Sequence, residues 1–427
     1  MALFGGNGRK DDFVLEGMRV IDPAEGIDEV LTITVEKGVI TSLEPSAAAS
    51  NGTIVAPAFV DPHVHLRTPG REDEEDIASG TRAAAAGGYC AILAMPNTDP
   101  IVDSAAVLGA LIERAEVEAE IPVGFLAAIT KRQEGAELTE MVELAERGAA
   151  GFTDDGKPVQ SAGLLRRALQ YRKVADRPIA LHCEEPALSQ SGQMHEGIVS
   201  AQLGFHGYPS VAESVMVGRD LALAANEGEP VHLMHLSARE SVDALRRAQA
   251  AGVAATGEAT PHHLCLTDEA VRNLDSNLKM NPPLRAEDDR DALLEGLRDG
   301  TIAAIATDHA PHAAYEKDVP FEEAPFGVTG LETAFAVLNT RIVEPGVLPL
   351  MTVLERMSAG PARIFGLEPP RIAVGAPANL VVLDLDATWC VAADEFRSRS
   401  SNSWLIGATL KGRVVQTVAG GKVVFAA

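Results

Sequence analysis

The stretch TIVAPAFVDPHVHLR, residues 53–67, joins an apolar, strand-like run to two histidines that lie one residue apart. In a strand, residues i and i+2 point to the same side, so His63 and His65 are expected to project together. Two neighbouring imidazoles lose hydration and gain little unless an electron-poor group lies between them. The pattern therefore favours a metal site at the end of this strand, with Arg67 on the same extended stretch.

The middle of the chain repeats this plan of an apolar strand followed by an amphipathic stretch. Seven further strands are expected in YCAILAMPNT, IPVGFLAAIT, AAGFTDD, RPIALHCEE, PVHLMHLS, GVAATGEATPHH and TIAAIATDHAPH. Eight buried parallel strands with helices outside predict an α/β fold, a (β/α)8 TIM barrel over residues 56–369. The chain ends, residues 1–55 and 370–427, contain short strand-like runs instead, and we expect them to meet as one composite small β domain.

The amino-acid composition indicates which kinds of binding partner the protein is expected to have. The 427 residues include 36 Lys and Arg against 61 Asp and Glu, for a formal net charge of −25. This charge argues against a nucleic-acid surface and against docking to anionic lipid. The four cysteines are scattered, and neither a signal peptide nor an apolar run of about 20 residues is evident. We therefore expect a cytoplasmic protein with no nucleic acid and no membrane as partner, which attracts any anionic substrate through a local group.

Side chains of the types that bind metals occur where the apolar strands end. In a TIM barrel, the ends of the strands form the functional face. Besides the first two histidines, these side chains are Asp154, Asp155, His182, His235, Asp308, His309 and His312. Imidazole nitrogens and carboxylate oxygens suit Zn²⁺ or Mn²⁺ at a hydrolytic centre. Even four of these histidines and two of the carboxylates exceed what one tetrahedral ion needs and fit two ions about 3.5–4 Å apart. His232 lies an odd number of residues before His235 and is expected to point to the opposite face.

Eight motifs occur in series along the chain: DPHVHLR, AMPNT, GFTDDG, LHCEE, HLS, EATPHHL, KMNPPLR and ATDHAPH. With them the sequence resembles the amidohydrolase superfamily, and within it the bacterial type I dihydroorotases, over essentially its whole length. The resemblance implies a TIM barrel of the amidohydrolase type with a small β-sandwich domain built from both chain ends. It also implies a zinc-dependent cyclic amide hydrolase of pyrimidine biosynthesis, which converts N-carbamoyl-L-aspartate reversibly to dihydroorotate and water.

The resemblance further implies two zinc ions held by six side chains. One ion is bound by His63, His65 and Asp308, the other by His182 and His235, and both by Asp155. Asp154 is the alternative to Asp155 as the bridging group, and the spacing in the family favours Asp155. The substrate contacts implied by the resemblance come from His65, Arg67, Asn97, Asn281, His312, Phe326 and Gly327.

The implied chemistry uses a hydroxide shared by two cations, whose lowered pKa makes it available at neutral pH. Asp308 serves as general acid/base, and Arg67 offers a planar fork for the substrate carboxylate. The family usually reads HLREPG where this chain reads HLRTPG, and we expect Thr68 to affect the orientation of the loop more than the chemistry. The long polar segment 312–330 is expected to order over bound substrate.

Two alternatives stay open. The first is another cyclic amidase, a hydantoinase/dihydropyrimidinase or an allantoinase. Those relatives generally bridge their metals with a carbamylated lysine on the fourth strand, where this chain has aspartate and Lys157 lies too far along. The second is a non-catalytic structural partner of aspartate carbamoyltransferase, although such homologues lose metal ligands that this chain keeps. A catalytic chain can also form a homodimer or associate with aspartate carbamoyltransferase, and the sequence does not decide this.

Overall fold

The computed structural model describes residues 2–47 and 52–427 of the chain. Its strands are β1 (Phe13–Asp22), β2 (Ile27–Glu36), β3 (Val39–Pro45), β4 (Thr53–Pro57), β5 (Phe59–Val64), β6 (Tyr89–Ala94), β7 (Val123–Ala127), β8 (Gly151–Phe152), β9 (Ala180–Leu181), β10 (Met194–His195), β11 (Gly207–Tyr208), β12 (Val231–Leu233), β13 (Ala255–Ala259), β14 (Ala304–Ile305), β15 (Leu380–Cys390), β16 (Thr409–Ala419) and β17 (Lys422–Ala426).

Seven strands from both ends of the chain form one sheet, in the order β17–β16–β15–β4–β1–β2–β3. β4 joins the two ends, since it pairs parallel with β1 and antiparallel with β15. Val20 and Ile33, on the neighbouring strands β1 and β2, pack in one apolar cluster with Val418 from the distant strand β16, so the sheet curls over on itself. Its outer turns meet: a Cβ added to Gly421 would lie 2.0 Å from the Cα of Gly38. This is the small β-sandwich expected from the chain ends.

The middle of the chain forms a closed barrel of parallel strands. Four strands pair in the order β5–β6–β7–β8 and four in the order β9–β12–β13–β14. Parallel bridges from Phe152 to Ile179 and from Val64 to His309 join the two groups and close the circle. The predicted fold class is thereby confirmed, whereas the proposed domain boundaries at 55/56 and 369/370 stay a prediction.

The helices are α1 (Ile77–Ala86), α2 (Ala105–Glu118), α3 (Met141–Arg147), α4 (Ala162–Ala175), α5 (Pro186–Ser189), α6 (Ile198–Leu203), α7 (Val211–Glu227), α8 (Arg239–Ala250), α9 (Pro261–Cys265), α10 (Glu287–Asp299), α11 (Ala314–Lys317), α12 (Ala334–Leu338), α13 (Leu350–Met357) and α14 (Ala359–Ile364). α2 begins after Ser104, whose hydroxyl accepts a hydrogen bond from the N–H of Val107. It buries Leu108, Leu111 and Ile112, three to four residues apart on one face. Among the described residues, no helix has both the length and the apolar character that crossing a membrane requires.

The first expected barrel strand differs from the structure. The apolar run of residues 53–60 is split at Ala58 into β4, which belongs to the curled sheet, and β5, which belongs to the barrel. Both strands are largely buried, so the run is apolar throughout and carries no signal at the break. Their different partners, β15 and β6, are what separate them.

Candidate metal centre and active site

The six side chains expected to bind metal lie at the carboxyl ends of five different barrel strands. His63 and His65 stand at the end of β5, Asp155 follows β8, His182 follows β9, His235 follows β12 and Asp308 follows β14. All six are buried. Since the carboxyl ends of the strands meet at one rim of a barrel, these side chains converge, although 243 residues separate His65 from Asp308.

Asp155 lies at the centre of this group. Its Oδ1 is 3.6 Å from Nδ1 of His182, 3.6 Å from Nε2 of His235 and 3.7 Å from Nε2 of His63. Its Oδ2 is 3.6 Å from Nε2 of His65. The four imidazole nitrogens therefore face one carboxylate at distances longer than direct hydrogen bonds.

Asp308 completes the group on one side. Its Oδ1 is 3.1 Å from Nε2 of His65 and 3.4 Å from Nε2 of His63. The ligand atoms of these three residues all lie within 4.8 Å of one another, as do those of His63, Asp155 and His235. The rim thus offers two overlapping sets of three donors.

Hydrogen bonds turn three of the imidazoles so that one nitrogen faces the centre. A carboxylate or amide oxygen can only accept, so the outer nitrogen of each of these rings donates and the opposite nitrogen faces the centre, where that of His65 also contacts Asp308. The pairs are His63 Nδ1 with Glu258 Oε1 at 2.8 Å, His65 Nδ1 with Asn97 Oδ1 at 3.0 Å, and His182 Nε2 with Glu184 Oε2 at 3.1 Å.

The residues present fit a divalent metal ion. Nε2 of His63 is buried and has no hydrogen-bond partner among the described residues. Burial opposes ionisation of Asp155, but His63, together with His182 and His235, lowers the pKa of this carboxyl well below its usual range. A buried carboxylate surrounded by imidazole nitrogens is the donor set that cations such as Zn²⁺ take in proteins.

Asp154 faces away from this centre. Its Oδ1 accepts hydrogen bonds from the N–H groups of Ile129 and Thr130 at 2.8 and 3.0 Å, and its Oδ2 accepts one from the Thr130 hydroxyl. Of the two aspartates that were alternatives in the sequence, the structure places Asp155 among the imidazoles.

Glu258 is a residue of the site that the sequence reading missed. It lies in β13, and its Oε1 accepts a hydrogen bond from His63 and a longer one, at 3.3 Å, from the N–H of His235. His235 has a φ of 31°, in the left-handed region, so its backbone conformation needs such support. The signal in the sequence was a charged residue inside the otherwise apolar strand GVAATGEATPHH.

A small cavity of about 160 Å³ opens in front of the six side chains. Pockets for drug-sized ligands measure about 300–1,000 Å³, so this cavity suits a small molecule. It is lined by six of the seven residues expected to contact substrate: His65, Arg67, Asn97, Asn281, Phe326 and Gly327. The seventh, His312, lies behind them, where its Nε2 donates a hydrogen bond to the carbonyl of Phe326 at 2.8 Å.

Arg67 is the cation of this cavity. Its Nε donates a hydrogen bond to the carbonyl of Pro311 at 3.0 Å, and Oε2 of the buried Glu74 forms an ion pair with the same atom at 3.0 Å. Its Nη2 is 3.4 Å from Nε2 of His312. The Nε edge of the guanidinium is therefore anchored, while the side chain lines the cavity.

The segment after β14 is held over the cavity by two buried lysines. Nζ of Lys279 donates to the carbonyls of Phe321 and Glu322, and Nζ of Lys317 donates to those of Ser276 and Pro325. Phe326 and Gly327 thus line the cavity through contacts that the chain makes with itself, whereas ordering over bound substrate stays a prediction.

Comparison with known proteins shows the family of this chain. The sequence model of the amidohydrolase family matches residues 54–424. A dihydroorotase of Geobacter metallireducens is 45% identical over 422 residues, which cover 97% of this chain and 99% of that protein. A dihydroorotase of Geobacter sp. (strain M21) is 46% identical over 424 residues, covering 97% of this chain and 100% of that protein.

Solved structures of lower identity share the fold. An L-hydantoinase from Arthrobacter aurescens has a TM-score of 0.87 at 24% identity and covers 97% of this chain and 96% of that one. A dihydropyrimidinase from Brevibacillus agri NCHU1002 has a TM-score of 0.84 at 20% identity, over 97% and 95% of the two chains. A family match that spans the barrel and part of the curled sheet, together with relatives aligned over almost their full length, shows that the chain belongs to the amidohydrolase family.

Proposed function

We propose that this chain is a dihydroorotase of de novo pyrimidine biosynthesis in the cytoplasm, which interconverts N-carbamoyl-L-aspartate and dihydroorotate plus water. Relatives of that name are 45% and 46% identical over nearly their whole length. The observation that carries the proposal is that Arg67 and the side chains suited to a metal line one small cavity. Hydrolysis of a cyclic amide that carries a carboxylate needs both features. The metal centre activates water, and the guanidinium of Arg67 binds the carboxylate.

We propose zinc as the metal, with two ions per chain. Bound cations of this kind lower the pKa of water and polarise the carbonyl of the ring amide. The residues that would hold the first ion are His63, His65 and Asp308; those for the second are His182 and His235, with Asp155 between the two.

Asp308 is the proposed general acid/base. Burial opposes its ionisation, but His63 and His65 lower the pKa of its carboxyl below the usual range, so it is present as the carboxylate. In hydrolysis it accepts the proton of the attacking water and passes it to the ring nitrogen as the C–N bond breaks. In ring closure it takes the proton from the carbamoyl nitrogen and returns it to the departing oxygen.

Activity measured on four cyclic amides tests the proposal directly. The purified protein is assayed with dihydroorotate, hydantoin, dihydrouracil and allantoin, and we expect strong preference for dihydroorotate because only this ring carries a carboxylate for Arg67. Turnover of the neutral rings without dihydroorotate would assign the chain to the other cyclic amidases. Absence of turnover for all four in metal-loaded protein would favour a structural role instead.

Replacing Arg67 with alanine is expected to raise the KM for dihydroorotate by about 10–10²-fold, because a hydrogen bond to a charged group contributes about 1.5–3 kcal/mol. The kcat should change less, since the reacting atoms lie at the opposite side of the substrate. Steady-state kinetics measure both constants. Arg82→Ala, which removes an exposed arginine of α1, is the matched control. An unchanged KM in Arg67→Ala would refute the role.

A further inference from the structure

A column of buried polar side chains runs from the metal centre into the barrel. His63 Nδ1 contacts Glu258 Oε1 at 2.8 Å, and Oε2 of the same carboxylate contacts Nε2 of His232 at 2.9 Å. Nδ1 of His232 is 2.8 Å from the hydroxyl oxygen of Thr256. The column ends at a second cavity of about 300 Å³, lined by His232 and Thr256 on the other side of the barrel from the metal centre.

The direction of each hydrogen bond follows from the ionised carboxylate. Each oxygen of the Glu258 carboxylate contacts a ring nitrogen, Nδ1 of His63 at 2.8 Å and Nε2 of His232 at 2.9 Å. An ionised carboxylate only accepts, so both imidazoles donate to it. His232 then has its proton on Nε2, and its Nδ1 accepts from the Thr256 hydroxyl. With both imidazoles neutral, one arrangement of protons satisfies all three contacts, and it leaves the Nε2 lone pair of His63 directed into the metal centre.

Steric contacts hold the column in place as well. His232 is 2% exposed and Glu258 is 1% exposed, so both side chains are almost entirely enclosed by protein. The ring of His232 packs edge-on against Phe365, with ring centroids 5.7 Å apart. A shift of His232 would therefore displace Glu258, and through it both the His63 ring and the N–H of His235.

We propose that His232 and Thr256 are positioning residues, which act through Glu258 to orient His63 for binding the metal. The inference deepens the proposed function, on whose metal centre it rests. Neither His232 nor Thr256 touches the centre. His232, which two hydrogen bonds connect to His63, thereby affects the affinity for zinc.

The test measures zinc affinity by competition with a chromophoric chelator, so it needs no catalytic assay. Glu258→Gln is expected to weaken zinc binding by about 10–10²-fold, as loss of the partner of a metal-bound histidine does elsewhere. His232→Leu should weaken it by a smaller factor, about 3–10-fold, since Glu258 keeps one of its two donors. His232→Gln should recover part of the loss because its amide N–H can donate to Glu258. Thr256→Val should have the smallest effect, and in the same direction.

Glu332→Gln is the matched control, because Glu332 accepts hydrogen bonds from the backbone of Arg397 and Ser398, outside the column. Circular dichroism of the metal-free proteins checks that they are folded, and if Glu258→Gln does not fold, the two His232 variants carry the test. Wild-type affinity in His232→Leu, or equal losses in His232→Leu and His232→Gln, would overturn the inference. Failure of the wild-type protein to bind zinc would instead overturn the proposed metal centre.

Discussion

Replacing Asp308 with alanine is expected to lower kcat for dihydroorotate hydrolysis by about 10⁴-fold, because the substitution removes the group that moves the proton. Asp308 is also one of three residues whose ligand atoms lie within 4.8 Å of one another beside the cavity, so a part of the loss will come from weaker metal binding. Kinetics and metal content measured on the same sample distinguish the two causes. A variant that keeps a tenth of the wild-type kcat would exclude the acid/base role.

The backbone at Asp308 calls for a second variant. Its φ of 48° is in the left-handed region, which alanine adopts at a cost of about 1–2 kcal/mol but asparagine tolerates. Asp308→Asn therefore removes the proton acceptor with less backbone strain. We expect the same loss of kcat in both variants, with a lower Tm only in Asp308→Ala. Recovery of activity in Asp308→Asn would mean that backbone strain, and not the carboxylate, explains the alanine result.

Dialysis against a chelator is expected to abolish activity and to leave the protein folded with a lower Tm. A ligand that binds only the folded state at 10³ times its Kd contributes about 4 kcal/mol, so its removal costs stability as well as catalysis. Adding Zn²⁺ back should restore both activity and Tm. Metal analysis before and after dialysis, with kcat and Tm at each stage, gives the measurement. Full activity in protein shown to be free of metal would contradict the proposed chemistry.

Substitutions of the adjacent residues Asp154 and Asp155 provide a matched pair of variants for the measurements of metal content and Tm. Asp155→Asn is expected to lower the metal content, because the Asp155 carboxylate faces four imidazoles. Asp154→Asn should keep the metal and lower the Tm, because that side chain binds the backbone of Ile129 and Thr130. The opposite pattern would assign the bridging position to Asp154.

Much of the barrel and of the candidate site was predictable from sequence order. Alternating apolar and amphipathic segments are local patterns, and the rule that the carboxyl ends of parallel strands share one rim places residues such as His182 and His235 together. The break at Ala58 was not predictable in this way, because β4 and β5 are equally apolar and differ only in the strands with which they pair.

The sequence by itself determined the eight barrel strands, the order of the histidines and aspartates along them, and the arginine two residues beyond His65. These features depend on side-chain type and on spacing within one segment, which a single chain displays. Only the tertiary structure decided that Asp155 and not Asp154 faces the imidazoles, and that Glu258 joins His63 to His232. Those choices depend on which groups, distant in sequence, donate hydrogen bonds to a buried carboxylate. The two partners of Glu258 are His63, 195 residues away, and His232, 26 residues away, and they meet it only when the barrel closes.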